Sequence, residues 1–163
     1  MAKIKSLNDF LIEELKDLYS AEKQITKALP KMAKAAAAEE LKEAFQNHLQ
    51  ETEGQISRLE EISNILGKTL TGKKCKAMEG LMQEGKELLE VDIELNVRDV
   101  ALIAAAQKVE HYEIASYGCA RTYAKLLGMS DIEKLLQETL DEEGNANKIL
   151  NEISEDLNVE AIQ

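Results

Sequence analysis

The stretch from Asp99 to Ala120, DVALIAAAQKVEHYEIASYGCA, constrains this chain more than any other. Its apolar and small residues recur at Ile103, Ala106, Tyr117 and Ala120, then at Ala124 and Leu127 just beyond it, and Glu110 and Glu113 fill the missing steps. Steps of three and four place all eight on one face of an α-helix. Two carboxylates therefore interrupt a seam that the pattern requires to be buried. An unpaired buried carboxylate is costly, so the rest of the chain must supply something that compensates both.

Three further segments carry the same defect. A helix expected over 7–37, with Ser6 as N-cap, has the stripe Leu11, Leu15, Leu18, Glu22, Ile25, Leu29, Met32, Ala36. Glu22 is its one charge, and Pro30 is expected to kink it further on. A second helix, over 39–66 and closed by Gly67, has Leu41, Phe45, His48, Thr52, Gln55, Leu59, Ile62, Leu66, with Glu51 flanking beside His48. The last helix, expected to start at a Ser130 capping box, reads Ile132, Leu136, Thr139, Glu143, Ala146, Leu150, Ile153, Leu157, with Glu142 adjoining. In each case the polar residues stand in the middle of the seam. Pairing about the two short loops brings Glu22 toward Glu51 and Glu113 toward Glu143.

The segment 67–97 is too long for a turn. It opens with the basic loop GKTLTGKKCK, contains a short helical run near 77–91, and lets the third long helix cross the bundle. No phosphate-binding glycine motif accompanies the lysines, so they read as an exposed loop. With 8 Gly, 1 Pro and no β-branched alternation, the chain is expected to be all-α. Its 163 residues suit one domain, 1–163. No apolar run approaches the ~20 residues that span a bilayer. The N-terminus lacks a signal-peptide core. The expected setting is the cytoplasm, without membrane partners. Cys75 and Cys119 form no CxxC pair and read as plain thiols. The net charge of −11 argues against nucleic acid and is compatible with attracting cations. Residues 131–163 alone hold 10 acids and 2 bases, a net of −8.

Carboxylates from four helices at one level of a bundle repel one another unless a divalent metal pair neutralises them. Oxygen ligands with an imidazole suit iron, with manganese as the other candidate. Four helices supplying one Glu each, plus i,i+3 pairs, is the di-iron carboxylate architecture, and Glu110-x-x-Glu113 and His48-x-x-Glu51 are such pairs. The candidate ligands are Glu22, His48, Glu51, Glu110, Glu113, Glu142 and Glu143. Tyr117 is the candidate for a hydrogen bond or electron transfer beside them. Tyr19, Tyr112 and Tyr117 otherwise read as core aromatics with bonded hydroxyls, and His111 lies off the stripe. The competing reading is a polar layer of Glu, His, Thr and Gln that fixes helix register, with metal weak or absent.

Over nearly its whole length the chain resembles the YciE/YciF family of small ferritin-like bacterial proteins. The resemblance is carried by LYSAEKQ at 18–24, HLQET at 48–52, KKCKAMEGL at 73–81, RDVALIAAAQKVEHYEIASYG at 98–118 and QETLDEE at 137–143. It implies a ferritin-like four-helix bundle, a rubrerythrin-like di-metal site, a homodimer and a role in stress responses. The spacing of Glu110 and Tyr117 also resembles the Glu-x6-Tyr of rubrerythrin relatives. The usual second-helix Glu-x-x-His is absent: Glu51 is followed by Gly54, and His48 lies on its other side. The function expected is oxidation of ferrous iron by oxygen or peroxide, in a ferroxidase or peroxidase-like di-iron protein. The alternative is a non-enzymatic helical stress protein.

Overall fold

A computed structural model describes residues 4–162; the first three residues and the last of the expected 1–163 domain lie outside the described residues. Five helices follow in order: α1 Leu7–Ala35, α2 Glu39–Leu66, α3 Lys76–Glu90, α4 Leu95–Leu126 and α5 Ser130–Glu160. The expected ends are met closely. Ser6 caps α1 by accepting from the Asp9 amide at 3.1 Å. Gly67 closes α2 in the left-handed conformation at φ 59°, which a side chain would strain. Helix α1 runs on through Pro30, which takes away the donor for the Thr26 carbonyl and leaves the last turns intact.

One expected end is corrected. Ser130 does not cap α5; it is already the first helical residue, and Met129 holds the cap position without a side-chain bond. The reason lies in the preceding stop. Gly128 at φ 71° folds the chain back so that the Met129 amide bonds the Ala124 carbonyl at 2.9 Å. The Met129 carbonyl then accepts from Glu133. The turn is thus used up before Ser130 is reached.

α1 packs on α2 and α4, α5 packs on α2 and α4, and α3 lies across α1 and α4. The start of α4 meets the end of α1, because Asp99 bonds the amides of Ala37 and Ala38. The chain must therefore return along the bundle between α2 and α4, and the connection carrying α3 does this. The result is a ferritin-like four-helix bundle with a long crossover, as the pattern requires.

The crossover is anchored more firmly than a surface loop. Leu70 and Cys75 are buried. The Cys75 amide bonds Ser20 and its carbonyl accepts from Gln24. Lys73, expected in an exposed loop, is only partly exposed: it pairs with Asp17 at 3.2 Å and donates to the Glu13 carbonyl. Both cysteines are free thiols.

The apolar interior falls into two parts. One holds Ile25 and Leu29 of α1, Phe45 of α2, Met78 of α3, Leu102 of α4 and Leu150 of α5. The other holds Leu11 and Leu15 of α1, Leu59 of α2, Tyr117 of α4 and Leu136 of α5. Between them lie the mid-seam residues that interrupt each stripe: Glu22, His48, Thr52, Gln55, Glu110, Glu113, Thr139 and Glu143, all buried.

Candidate metal centre

Each member of this layer is delivered by helical periodicity. Glu22 follows Leu18 by four and precedes Ile25 by three on α1, so the rotation that buries the leucines buries the carboxylate. The same holds for His48 after Phe45, for Glu110 and Glu113 between Ala106 and Tyr117, and for Glu143 between Thr139 and Ala146.

His48, Glu110, Glu113 and Glu143 each offer a ligand atom, and those four atoms lie within 4.8 Å of one another. All four residues are buried, and the group could hold a metal ion. The His48 Nε2 sits 3.5 Å from Glu110 Oε1 and 3.9 Å from Glu143 Oε2. Glu22 closes the α1 side. Its Oε1 accepts from the Tyr117 hydroxyl, which is fully buried. The charge of Glu143 bears on it. Glu22 thus meets α4 and α5, where the sequence suggested Glu51.

Glu51 stands at the edge, with its side chain 36% exposed, and touches His48 Nδ1 at 3.4 Å. Position 54, where the rubrerythrin-like motif has histidine, points outward: a Cβ there meets nothing within 4 Å. In this register the inward polar positions of α2 are 48, 52 and 55, and the histidine at 48 stands on the other side of Glu51.

Glu142 and Glu143 take different roles because adjacent residues on a helix point about 100° apart. Glu143 faces the layer. Glu142 is held by both terminal nitrogens of Arg58 and accepts from Gln55 at 3.1 Å. Gln55 also donates to Glu143 at 2.5 Å, so one amide fixes both carboxylates. Arg58, three residues beyond Gln55 and bonded also to Thr139, was not singled out from the sequence. Its signal is weak, an off-stripe arginine one turn from a polar seam residue. The tyrosine hydroxyls are bonded as expected, but only Tyr117 lies in the core; Tyr19 and Tyr112 are partly buried. Tyr19 bonds Glu60, Tyr112 bonds Asp17, and Tyr117 bonds Glu22. His111 is exposed on the surface of α4, with Nδ1 on the Gln107 carbonyl.

Among the described residues, ten buried side-chain nitrogen and oxygen atoms lack a hydrogen-bond partner, and seven belong to this layer. Six are atoms able to ligate a metal, Glu22 Oε2, His48 Nε2, Glu110 Oε2, both oxygens of Glu113, and Glu143 Oε2; the seventh is Gln55 Oε1. Polar atoms without partners are expensive in a folded interior, and their concentration at one spot is the arrangement of a group that could hold a cation. The electrostatics agree. Burial, then the charge of Glu143, pushes the Glu22 and Glu113 carboxyls well above the usual range. Burial and contact with Glu143 do the same to Glu110. For His48, burial opposes protonation, but the carboxylates of Glu51, Glu143 and Glu142 outweigh it and raise its pKa. An oxygen-rich donor set with one imidazole fits a hard or borderline divalent ion of the iron or manganese kind.

Known proteins share both the fold and much of the sequence. YciF of Escherichia coli K12 is 52% identical over 144 residues, covering 86% of this chain and 85% of that protein. The crystal structure of the E. coli stress protein YciF superposes with a TM-score of 0.92 at 47% identity, covering 94% of this chain and 98% of that one. The structure of YcfI from Rhodopseudomonas palustris gives a TM-score of 0.88 at 43% identity, covering 91% and 95%. A Xanthomonas campestris protein at 20% identity shares the fold, with a TM-score of 0.77 and 96% of each chain covered. The family model described as "Domain of unknown function (DUF892)" matches residues 6–163, and the chain belongs to that family, together with its YciF relatives.

Proposed function

We propose that the layer is a carboxylate-bridged di-iron centre, with manganese as the alternative metal, and that the protein oxidises ferrous iron with oxygen or peroxide in a bacterial stress response. One observation carries this reading: six partnerless ligand atoms from four helices gather in the layer between two apolar cores. Glu110, Glu113, Glu143 and His48 would hold the metal, with Glu22 completing the α1 side and Glu51 at the edge. Bound iron supplies one-electron redox chemistry. The chain supplies the rest. Leucines and isoleucines on both sides exclude water, which strengthens every carboxylate–metal contact. Gln55 and Arg58 fix the orientation of Glu143 and Glu142. Tyr117 holds Glu22 and places a redox-capable phenol beside the ligands. The resemblance to the YciE/YciF family adds a homodimer in the cytoplasm to this reading, with metal ions as the other partners.

The test is anaerobic loading with ferrous iron, removal of excess, and elemental analysis. About two irons per chain are expected. A chain that retains none is a helical protein whose polar layer sets register only.

A further inference from the structure

On the α2–α5 side, a cavity of about 440 Å³ runs from the protein surface to the carboxylate layer. Its inner end is lined by His48 and Glu110, both buried and each with a partnerless atom, His48 Nε2 and Glu110 Oε2. Its outer edge carries Glu40 and Glu43, which are exposed, and Glu51, half-buried beside His48. The three acids follow α2 toward the layer, and Glu40 to His48 spans roughly 12 Å of helix rise. Lys42, the base between the outer two in sequence, is occupied by Glu39 at 3.1 Å. The facing wall, from α5, is apolar: Ala146, Ile149, Leu150 and Ile153. An acidic edge set against a low-dielectric wall focuses its field along the cavity. Two other approaches carry side-chain networks. Tyr117 and Glu22 block the α1–α4 side, and the Arg58–Glu142–Gln55 network blocks the groove further along α2 and α5.

We infer that this cavity is the entry route for divalent cations, with Glu40 and Glu43 drawing the ion in and Glu51 passing it to His48 and Glu110. The inference rests on the proposed metal centre and adds to it a direction of loading. The two acids at the mouth then set how fast metal arrives, while the buried residues set how much is held.

The test mixes metal-free full-length protein with Co²⁺ in a stopped-flow instrument and follows the visible absorption of the bound ion. In a Glu40→Gln, Glu43→Gln variant the association rate should fall about 10-fold at low ionic strength, and salt should shrink the difference. The final Co²⁺ content per chain should stay at the wild-type value. A Glu87→Gln, Glu90→Gln variant removes the same charge from the exposed face of α3 and should load at the wild-type rate. Ala44→Trp places a bulky ring in the cavity and should slow loading at every salt concentration. Wild-type rates in both the mouth variant and the Ala44→Trp variant, with full Co²⁺ content, overturn the route and leave the metal centre standing. A mouth variant slowed no more than the α3 variant also overturns it. Failure of the wild type to take up Co²⁺ overturns the metal centre, and the route with it.

Discussion

Asp99 and Glu113 are both buried carboxylates on α4, 2% and 0% exposed, and their surroundings could hardly differ more. Asp99 spends one oxygen on the Ala37 amide at 2.8 Å and the other on the Ala38 amide at 2.7 Å. It thereby caps α2 from another helix, where Ala38 offers no side chain of its own for the task. Neither oxygen of Glu113 has a hydrogen-bond partner. One carboxylate is part of the fold's own satisfaction; the other belongs to the group that could hold a metal ion. The difference separates stability from function along a single helix. Removing Asp99 should damage the fold and spare the metal, and removing the layer carboxylates should do the reverse.

The largest expected effect is on metal content. Glu110→Ala should lower retained iron from about two per chain to none, while helical circular dichroism survives. Unchanged stoichiometry by elemental analysis would take Glu110 out of the ligand set.

Asp99→Ala tests the other side. It leaves two part-buried amides without their acceptor and should cost about 2 kcal/mol in urea unfolding of the metal-free protein. Iron stoichiometry should not change. If Asp99→Ala is neutral to stability, or if it empties the site, the two carboxylates are not of different kinds.

The pH dependence of the metal-free protein sharpens the contrast. Glu22, Glu110 and Glu113 have folded pKa values raised by burial and by Glu143, and His48 is raised by its carboxylate neighbours. A raised folded pKa means that the folded state holds more protons between the unfolded and folded values. The stabilisation is complete below the unfolded pKa, ~4.3 for Glu and ~6.5 for His, and is lost as pH rises through the folded value. Metal-free protein should therefore melt higher near pH ~5 than near pH ~7.5, above the range of general acid unfolding. Ferrous iron should reverse the trend, because it binds the deprotonated ligands. In Glu110→Gln, Glu113→Gln the slope should flatten and iron should no longer raise the melting temperature. Identical slopes in variant and wild type would show that the layer is not a set of mutually repelling carboxylates.

The smallest effect is expected at Arg58. It is largely buried and pairs with Glu142 through two nitrogens. Arg58→Ala should cost about 1 kcal/mol and weaken metal affinity about 10-fold, by loosening Glu142 and Gln55. Loss of all metal would instead promote Glu142 from a support to a ligand.

The spacing of residues along the chain makes much of this legible. The four stripes, their polar middles and the crossover follow from it, and the stripe residues are buried as expected except Leu66, Leu127 and Ile153 near helix ends, which are half-buried. Spacing does not reveal pairs. It sets Glu22 toward Glu51, whereas Glu22 meets Tyr117, Glu113 and Glu143 in the folded chain. It does not divide Glu142 from Glu143, and it passes over Arg58. Asp99 stands at the start of its helix as an acid without an assignment, and it caps a neighbour 61 residues away.

The physical reason is range. A helix repeats every 3.6 residues, so the face on which a residue lies is fixed by its own segment. That much the amino-acid sequence determined by itself: all-α, four long seams, and carboxylates forced inward at the same level. Which atoms then meet depends on how far each helix is rotated and shifted against the next. Those offsets are set by side chains that interlock across helices, such as Leu11, Leu59, Leu136 and Tyr117 in the cluster beside the layer. Only that packing put four ligand atoms within 4.8 Å, turned Glu51 to the edge and gave Glu142 to Arg58.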